Sequence, residues 1–280
     1  MFRIFILLGY TFLFMHLHAT GDISKYINMK YAYISFSAIF FLGLLMLVQF
    51  YIYGKGDRSE EHCDSPDCGH DHDHEKKPGW RSLLVNTVLL IPVAAGLFLP
   101  VATLDSQTVK TKGFAFKGVE NEGDFGEHQF LKPDLSVYYG EEGYENIIGK
   151  EKKAFENKDT ILLNEKDYLK GLELIYYAPG EFIGKDIQMH GFTFNSNELR
   201  NKRQVFLLRF GIIHCVADSG VFGMLIEFPD DVNFKDDEWI EVKGKISEMY
   251  YQPFKAAIPY VKVSSWKTTS KPKDPYVYRN

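Results

Sequence analysis

Two long apolar segments without any charged residue constrain this fold most. Residues 31–53 and 82–104 each run for twenty-three residues without Asp, Glu, Lys or Arg. A helix needs roughly 20 apolar residues to cross a bilayer. A third, shorter segment covers residues 4–20 and ends in His16 and His18, and the poor cleavage site at residues 19–21 favours a retained helix over a signal peptide. The sequence therefore predicts a multi-pass membrane region of three helices, at about residues 4–20, 31–53 and 82–104.

The distribution of basic residues predicts how this region is oriented. Cytoplasmic loops carry an excess of Lys and Arg. The first loop has only Lys25 and Lys30, whereas the N-terminus and the second loop, residues 54–81, share one side and have six basic residues: Arg3, Lys55, Arg58, Lys76, Lys77 and Arg81. We therefore expect the second loop to be cytoplasmic and the part of the chain after residue 104 to be extracytoplasmic.

The second loop contains a dense group of metal-ligating residue types. Zn²⁺ is held by thiolates and imidazoles in a tetrahedral arrangement. The Cys-x4-Cys spacing lets both sulfurs reach one ion, and the interleaved aspartates favour a cation. The alternative is a solvated acidic linker, and a Cys63–Cys68 disulfide remains open if the loop faces outward. The sequence predicts a site for Zn²⁺ or another divalent cation with ligands drawn from His62, Cys63, Cys68, His70, His72 and His74.

The second part of the chain has a nearly balanced charge. Residues 105–280 contain 24 Lys and Arg against 28 Asp and Glu, a net charge of −4. This balance argues against a nucleic-acid surface, which needs clustered positive charge. Residues 105–178 are expected to form a mixed α/β or loop-rich connecting region. Within it, apolar residues recurring on one face predict a helix over residues 164–177, which ends at Pro179-Gly180.

Alternating apolar residues predict five strands in the next part of the chain. Two strands change phase at a central glycine, Gly191 and Gly244, as a bulge or a bent strand requires. This pattern predicts an OB-like five-stranded barrel over residues 179–268, followed by a tail over residues 269–280, with an SH3-like barrel or a β-sandwich as alternatives. The expected strands are residues 185–194, 205–215, 221–228, 239–249 and 260–266.

A second candidate site lies where the second of these strands should end. His214, Cys215 and Asp218 fall within five residues and could ligate a metal or tune a thiolate. The alternative is a small buried cysteine followed by an ordinary turn. The sequence has no G-x-S-x-G, P-loop, G-x-G-x-x-G or H-E-x-x-H motif. We therefore predict no enzyme, no catalytic residue and no organic cofactor, and a thiol-dependent enzyme using Cys215 is the least favoured alternative.

Several longer motifs together resemble the YcgQ-like family of bacterial membrane proteins, over almost the whole chain. The resemblance implies a few N-terminal helices, a variable His-rich loop and a soluble C-terminal domain in a bacterial cell membrane. It also implies a partner, a multi-span permease encoded nearby, and it supplies no catalytic residue. The motifs are residues 16–21 (HLHATG), 25–31 (KYINMKY), 100–105 (PVATLD), 179–182 (PGEF), 208–215 (LRFGIIHC), 217–220 (ADSG) and 250–254 (YYQPF).

These observations lead to two functional expectations. The first is an accessory subunit of a multi-span membrane permease, linked to the binding or transport of a divalent metal such as zinc. The second is a membrane-tethered binding module whose OB-like domain recognises an envelope ligand, with the His/Cys loop incidental. The metal content of the purified protein separates them.

Overall fold

The computed structural model describes residues 2–56, 80–99, 104–112, 114–115, 129–130, 141–156, 158–196, 199, 201–252 and 256–279. The chain divides into two compact units, Met1–Ala102 and Thr103–Asn280. The first is helical and the second is mainly β.

The first unit consists of the helices α1 (Phe2–Thr20), α2 (Ala32–Gly56) and α3 (Trp80–Phe98). Short 3-10 turns connect α1 to α2, and Asn28 caps the second of them by accepting a hydrogen bond from the backbone N–H of Lys30. Glycines bring α1 close to α3: a Cβ atom on Gly96 would lie 2.8 Å from the side chain of Leu13. Most large apolar side chains of α2 are exposed, as expected for a surface that faces lipid or another apolar partner.

The prediction of three membrane-spanning helices was wrong in its count. Two helical stretches in the described residues, Phe2–Thr20 and Met29–Lys55, are long and apolar enough to cross a bilayer. The third segment, predicted over residues 82–104, is the helix Trp80–Phe98, whose apolar part, Leu84–Phe98, is shorter. The helix ends two residues before Pro100, and proline disfavours helix at the residue that precedes it.

The second unit begins with short elements and continues as a series of strands. The helices are α4 (Ser106–Lys112), α5 (Glu141–Glu156) and α6 (Tyr168–Tyr177). The strands are β1 (Phe114–Ala115), β2 (Gln129–Phe130), β3 (Thr160–Leu163), β4 (Asp186–Phe194), β5 (Gln204–Ile212), β6 (Gly220–Glu227), β7 (Trp239–Tyr251), β8 (Ala256–Thr268) and β9 (Tyr276–Tyr278). Strands β1 and β2 form a separate parallel pair.

The main sheet has seven strands in the order β3-β4-β7-β8-β6-β5-β9. Strand β4 also pairs with β5, so the pairings β4–β5, β5–β6, β6–β8, β8–β7 and β7–β4 lead back to the starting strand. The pairs β3–β4, β5–β9 and β6–β8 are parallel, and the other pairs are antiparallel. The second unit is therefore a mainly β domain built on a seven-stranded sheet.

All five predicted strands are present as β4 to β8, but the prediction of a five-stranded sheet was wrong in its strand number. Strand β3 falls in the predicted connecting region, and β9 falls in the predicted tail. Both are short and pair in parallel with a distant part of the chain, so they lack the alternation that reveals a longer strand. The predicted helix over residues 164–177 begins only at Tyr168, because Asn164 accepts hydrogen bonds from Lys166 N and Asp167 N in the preceding turn.

Backbone approaches closely at both glycines that were predicted to bend strands. A Cβ atom on Gly191 would lie 2.6 Å from the carbonyl oxygen of Leu208, and one on Gly244 would lie 2.2 Å from that of Lys262. The pairing of β7 with β8 shifts register between Lys243 and Gly244. The predicted irregularity at Gly244 is therefore present, and neither site has room for a side chain.

Both faces of the central strands are buried. Along β5, Val205 and Leu207 belong to one apolar cluster, while Phe206, Leu208 and Phe210 belong to another. The first cluster also contains apolar residues of α5 and α6, so these helices cover one face of the sheet. Because a strand that is buried on both faces reads as a continuous apolar run, a charged residue inside it requires a specific explanation.

Candidate functional site

The predicted metal site in the His/Cys loop lies outside the described residues. All six proposed ligands fall between residues 62 and 74, and this segment is not among the described ranges. Within the residues that the structure does describe, no group of three or more His, Cys, Asp or Glu side chains is arranged to hold a metal ion. The metal assignment of the loop therefore stays a prediction.

The second candidate site forms a compact turn after β5, centred on the carboxylate of Asp218. This carboxylate accepts hydrogen bonds from the backbone N–H of His214 at 2.9 Å and from that of Cys215 at 3.0 Å. It also contacts Nδ1 of the His214 ring at 2.7 Å, which places a ring proton on Nδ1. The three residues predicted for this site do lie close together. Asp218 is part of a 3-10 turn, Val216–Asp218, which folds back on the end of the strand.

The hydrogen bonds of Asp218 indicate a structural role for this turn. A carboxylate that accepts two backbone N–H groups caps the turn, as Asp does at helix N-termini. Cys215 is a free cysteine with an intermediate exposure. Its side chain is not part of a described metal-ligand cluster. The functional role predicted for His214, Cys215 and Asp218 stays a prediction, and their geometry favours turn formation.

A more unusual group of polar residues surrounds Arg209, which sequence patterns did not identify as a site residue. Arg209 lies in the centre of the apolar strand β5, and only 1% of its surface is exposed. Its Nε and Nη2 atoms point to the backbone carbonyls of Asp274, Pro275 and Tyr276, at 3.3 to 3.5 Å. The guanidinium also lies over the rings of Tyr168 and Trp239, 5.7 Å and 5.6 Å from their centroids. Long carbonyl contacts and aromatic faces thus hold a buried cation.

Arg209 forms part of the wall of a polar cleft of about 240 Å³. The one carboxylate within ion-pair distance of Arg209 in the described residues is Glu165, whose Oε1 lies 3.7 Å from Nη1. Glu165 is largely exposed, with 64% of its side chain accessible, so it covers a buried cation from the solvent side. The cleft is lined by Leu162, Leu163, Asn164, Glu165, Gln188, Met189, His190, Arg209 and Glu241.

Two further titratable groups of the cleft, His190 and Glu241, have pKa values that are lowered by their surroundings. The Nε2 atom of His190 lies 2.7 Å from the hydroxyl of Thr269, and burial, together with the positive charge of Arg209, lowers the pKa of His190. Glu241 forms an ion pair with Lys267 at 3.0 Å, and the hydrogen bond from Lys267 lowers the pKa of Glu241. Near neutral pH the cleft therefore has a neutral imidazole, a buried guanidinium and two carboxylates.

This arrangement is suited to binding a small polar solute. A guanidinium supplies charge-assisted donors to an anion, and Gln188, His190 and Asn164 add neutral hydrogen-bonding groups at the cleft wall. The sequence did contain one signal, because Arg209 interrupts the apolar run 205–212 (VFLLRFGI). Buried charges are rare unless they are paired. The other cleft residues come from distant segments that only the fold brings together.

The comparisons with known proteins cover both units. The DUF1980 N-terminal domain matches residues 2–115, and the DUF1980 C-terminal domain matches residues 138–279. Over 284 residues the chain is 51% identical to "UPF0703 protein YcgQ" of Bacillus subtilis (strain 168), which covers the whole chain and 99% of that protein. It is 33% identical over 287 residues to the "Putative two-component membrane permease complex subunit" of Streptococcus mutans, with the same coverage. The chain therefore belongs to the DUF1980 family and is a full-length relative of YcgQ.

Proposed function

We propose that this chain is the membrane-anchored accessory subunit of a two-component permease complex. One observation carries the proposal: the chain aligns over its full length with a Streptococcus mutans protein that is named as a subunit of such a complex. Two helical stretches of membrane-spanning length agree with an anchored subunit. The exposed apolar side chains of α2 offer surface for lipid or for a second membrane protein.

Co-purification tests this proposal directly. The chain, expressed from its own locus with an affinity tag, is solubilised in mild detergent, and proteins that elute with it are identified by mass spectrometry. A multi-span membrane protein should elute in near-equal molar amount, and it should be absent when an unrelated tagged membrane protein is purified from the same cells. A homogeneous, folded preparation of the chain alone would contradict the proposal.

We also propose how the chain is oriented in the membrane. The six-to-two distribution of basic residues supports a cytoplasmic second loop and an extracytoplasmic second unit. Single cysteines placed at Ser59 and at Ser270, in a chain without its natural cysteines, can be labelled by an impermeant thiol reagent on intact cells. Labelling at residue 270 and protection at residue 59 are expected. The reverse pattern would invert the topology.

Metal handling is proposed as the task of the His/Cys loop. The support is the composition of residues 62–74, where six thiolate or imidazole ligands alternate with aspartates. The loop would capture or sense Zn²⁺ or a similar ion for the permease. No enzymatic step is proposed, because the chain has no recognised catalytic motif.

A second candidate function is a membrane-tethered binding module, and the Arg209 cleft favours it. The five strands whose pairings return to the starting strand support an OB-type barrel, with β6 and β8 as its parallel pair. Barrels of this class commonly bind ligands through their surface strands and loops. Both functions can coexist, because a permease subunit that binds a solute outside the membrane would use the same domain.

A further inference from the structure

The hydrogen-bonding pattern of Arg209 leaves one side of its guanidinium facing the cleft. Nε and Nη2 point to three backbone carbonyls of residues 274–276. Within the described part of the chain, Nη1 has only the carboxylate of Glu165, at 3.7 Å, beyond ordinary hydrogen-bonding distance. The two N–H groups of Nη1 therefore have only this long contact with Glu165 among the described residues, and Arg209 and Glu165 both line the cleft. An anion that approached Nη1 more closely would form a stronger, charge-assisted hydrogen bond.

Glu165 shows that a carboxylate suits these donors, and its own position is exposed to solvent. Its carboxylate takes the position of a counter-ion over Arg209, yet 64% of its side chain is exposed. It lies in the turn between β3 and α6, so a change of rotamer needs no movement of the sheet. Only the carboxylate end of this ion pair is exposed to solvent. A ligand carboxylate that replaces it leaves the buried guanidinium with a counter-ion, so the exchange does not leave a buried charge unpaired.

The charges around the cleft select among anions. Glu241 lines the cleft with Glu165, and the carboxylate of Asp274 contributes to the field at Arg209. Attraction to a cation and repulsion from a carboxylate both double for a doubly charged phosphate. Because the carboxylates of Glu165, Glu241 and Asp274 outnumber the cations Arg209 and Lys267 here, the second charge adds net repulsion. Gln188 and the cleft's neutral His190 can hydrogen-bond the polar remainder of a solute. The surroundings therefore favour a singly charged ligand.

We propose that the Arg209 cleft binds a small monocarboxylate, whose carboxylate displaces that of Glu165 and accepts hydrogen bonds from Nη1 of Arg209. The volume of about 240 Å³ accommodates a solute of a few carbon atoms. This site does not depend on assembly with a permease, so the test of ligand binding is independent of the test of the proposed function.

Trp239 provides a local probe of the cleft, because its ring lies beneath Arg209 and 5.0 Å from the His190 ring. The detergent-solubilised full chain, labelled with 5-fluorotryptophan, has three ¹⁹F resonances, since Trp80, Trp239 and Trp266 are its three tryptophans. Single Trp→Phe variants assign them. Acetate, added at constant ionic strength, should shift the Trp239 resonance saturably and leave the Trp80 resonance unshifted. Absence of a saturable Trp239 shift would overturn the proposal.

Removal of the internal counter-ion sharpens the test. Glu165→Gln keeps the size of the side chain and removes its charge, so acetate no longer competes with an internal carboxylate and should bind at least roughly twofold to fivefold more tightly, because a solvent-screened carboxylate is a weak competitor. The matched control is Glu181→Gln, which removes an exposed carboxylate paired with Lys152 away from the cleft and should not change binding. Unchanged affinity in Glu165→Gln would overturn displacement.

One further variant and one further ligand complete the experiment. Arg209→Gln should abolish the acetate-dependent shift, and the Glu165→Gln result decides the question if Arg209→Gln does not fold. Inorganic phosphate, titrated in the same way, should bind more weakly than acetate. Tighter binding of phosphate, with the same response to Glu165→Gln, would overturn the assignment of a monocarboxylate.

Discussion

At the scale of single residues, Arg279 connects the C-terminal segment to two helices. Its Nη1 and Nη2 atoms contact the two carboxylate oxygens of Glu151 on α5 at 2.7 and 2.8 Å. Nη2 also lies 3.0 Å from Glu173 on α6, whose side chain is fully buried. One guanidinium thus neutralises a buried carboxylate and holds β9 against both helices. Such a pair is costly to break, because the remaining charge stays buried.

We expect Arg279→Met to destabilise the second unit by about 3 kcal/mol, because Glu173 would lose its buried counter-ion. The measurement is chemical denaturation of the detergent-solubilised chain, followed by tryptophan fluorescence. Arg203→Met is the matched control, since Arg203 is exposed, and it should change the free energy of unfolding little. Equal effects in the two variants would show that Arg279 acts only as a surface charge.

His190 makes the stability of the second unit dependent on pH. Its pKa is lowered in the folded state, mainly by burial and then by Arg209, while Glu241 and Glu165 act in the opposite direction and Lys267 adds to the lowering. Below the unfolded-state pKa of about 6.5, the unfolded chain binds the proton first. The free energy of unfolding should therefore fall as pH decreases below this value, and it should be unaffected by His190 above it.

The comparison of the natural chain with His190→Gln tests this expectation. The variant should lose part of the decrease in stability between pH 6.5 and mildly acidic pH, because glutamine does not titrate there. A profile for His190→Gln that is parallel to that of the natural chain would exclude His190 as the titrating group.

At the scale of secondary-structure elements, β7 has a restricted backbone position at Gly244. This strand pairs with β4 on one side and with β8 on the other. A Cβ atom at Gly244 would lie 2.2 Å from the carbonyl oxygen of Lys262 on β8. The backbone of one strand would have to move to accept any side chain.

Gly244→Val should therefore destabilise the chain by roughly 1–3 kcal/mol, a range typical of a disrupted buried backbone site. Lys243→Val is the matched control: it introduces the same side chain one residue earlier, at an exposed position, where a β-branched residue suits a strand. The midpoints of denaturation of both variants, compared with the natural chain, give the result. Similar midpoints for the two variants would contradict the close approach at Gly244.

The elements also show what a sequence pattern can predict and what it cannot. Strands β4 to β8 were identified because each contains eight or more residues with an alternating or continuous apolar pattern. Strands β3 and β9 were missed, because four and three residues are too few for a periodicity. Their pairing in parallel with β4 and β5 depends on contacts across the fold, which local propensity does not encode.

The two candidate sites also differ in whether local sequence or contacts across the fold bring their residues together. The turn of His214, Cys215 and Asp218 was predictable because its hydrogen bonds join residues within four positions of one another. The cleft was not, because Glu165, Gln188 and Arg209 come from a turn and two strands. A buried arginine in an apolar strand was visible in the sequence, but its partners are backbone carbonyls near residue 275, which carry no residue-type signal.

At the scale of the whole molecule, the chain joins a helical membrane unit to a mainly β unit, and family membership extends over both. The two proposed binding activities lie in different parts of the chain. The predicted metal ligands fall in residues 62–74, after α2, and the cleft proposed to bind an anion belongs to the second unit. They can therefore be removed one at a time, and the contribution of each to the whole protein can be measured separately.

Zinc binding by the full chain should depend on the loop and not on the turn after β5. The loop has six Cys and His residues within residues 62–74 that are predicted to ligate the metal, whereas the carboxylate of Asp218 already contacts backbone N–H groups and the His214 ring. The natural chain is expected to purify with zinc, and a variant with alanine at Cys63, Cys68, His70 and His72 is expected to purify without it, as measured by mass spectrometry of the metal.

A matched variant, Cys215→Ser with His214→Gln, should retain the full zinc content, because it leaves every loop ligand in place. The natural chain should also release zinc as the pH falls through about 6.5, since protons compete with the metal for imidazole nitrogens. If the loop variant retains zinc and the turn variant loses it, the metal site lies in the second unit and not in the loop. A natural chain that purifies without zinc and takes up none on addition would remove metal binding from the function of this protein.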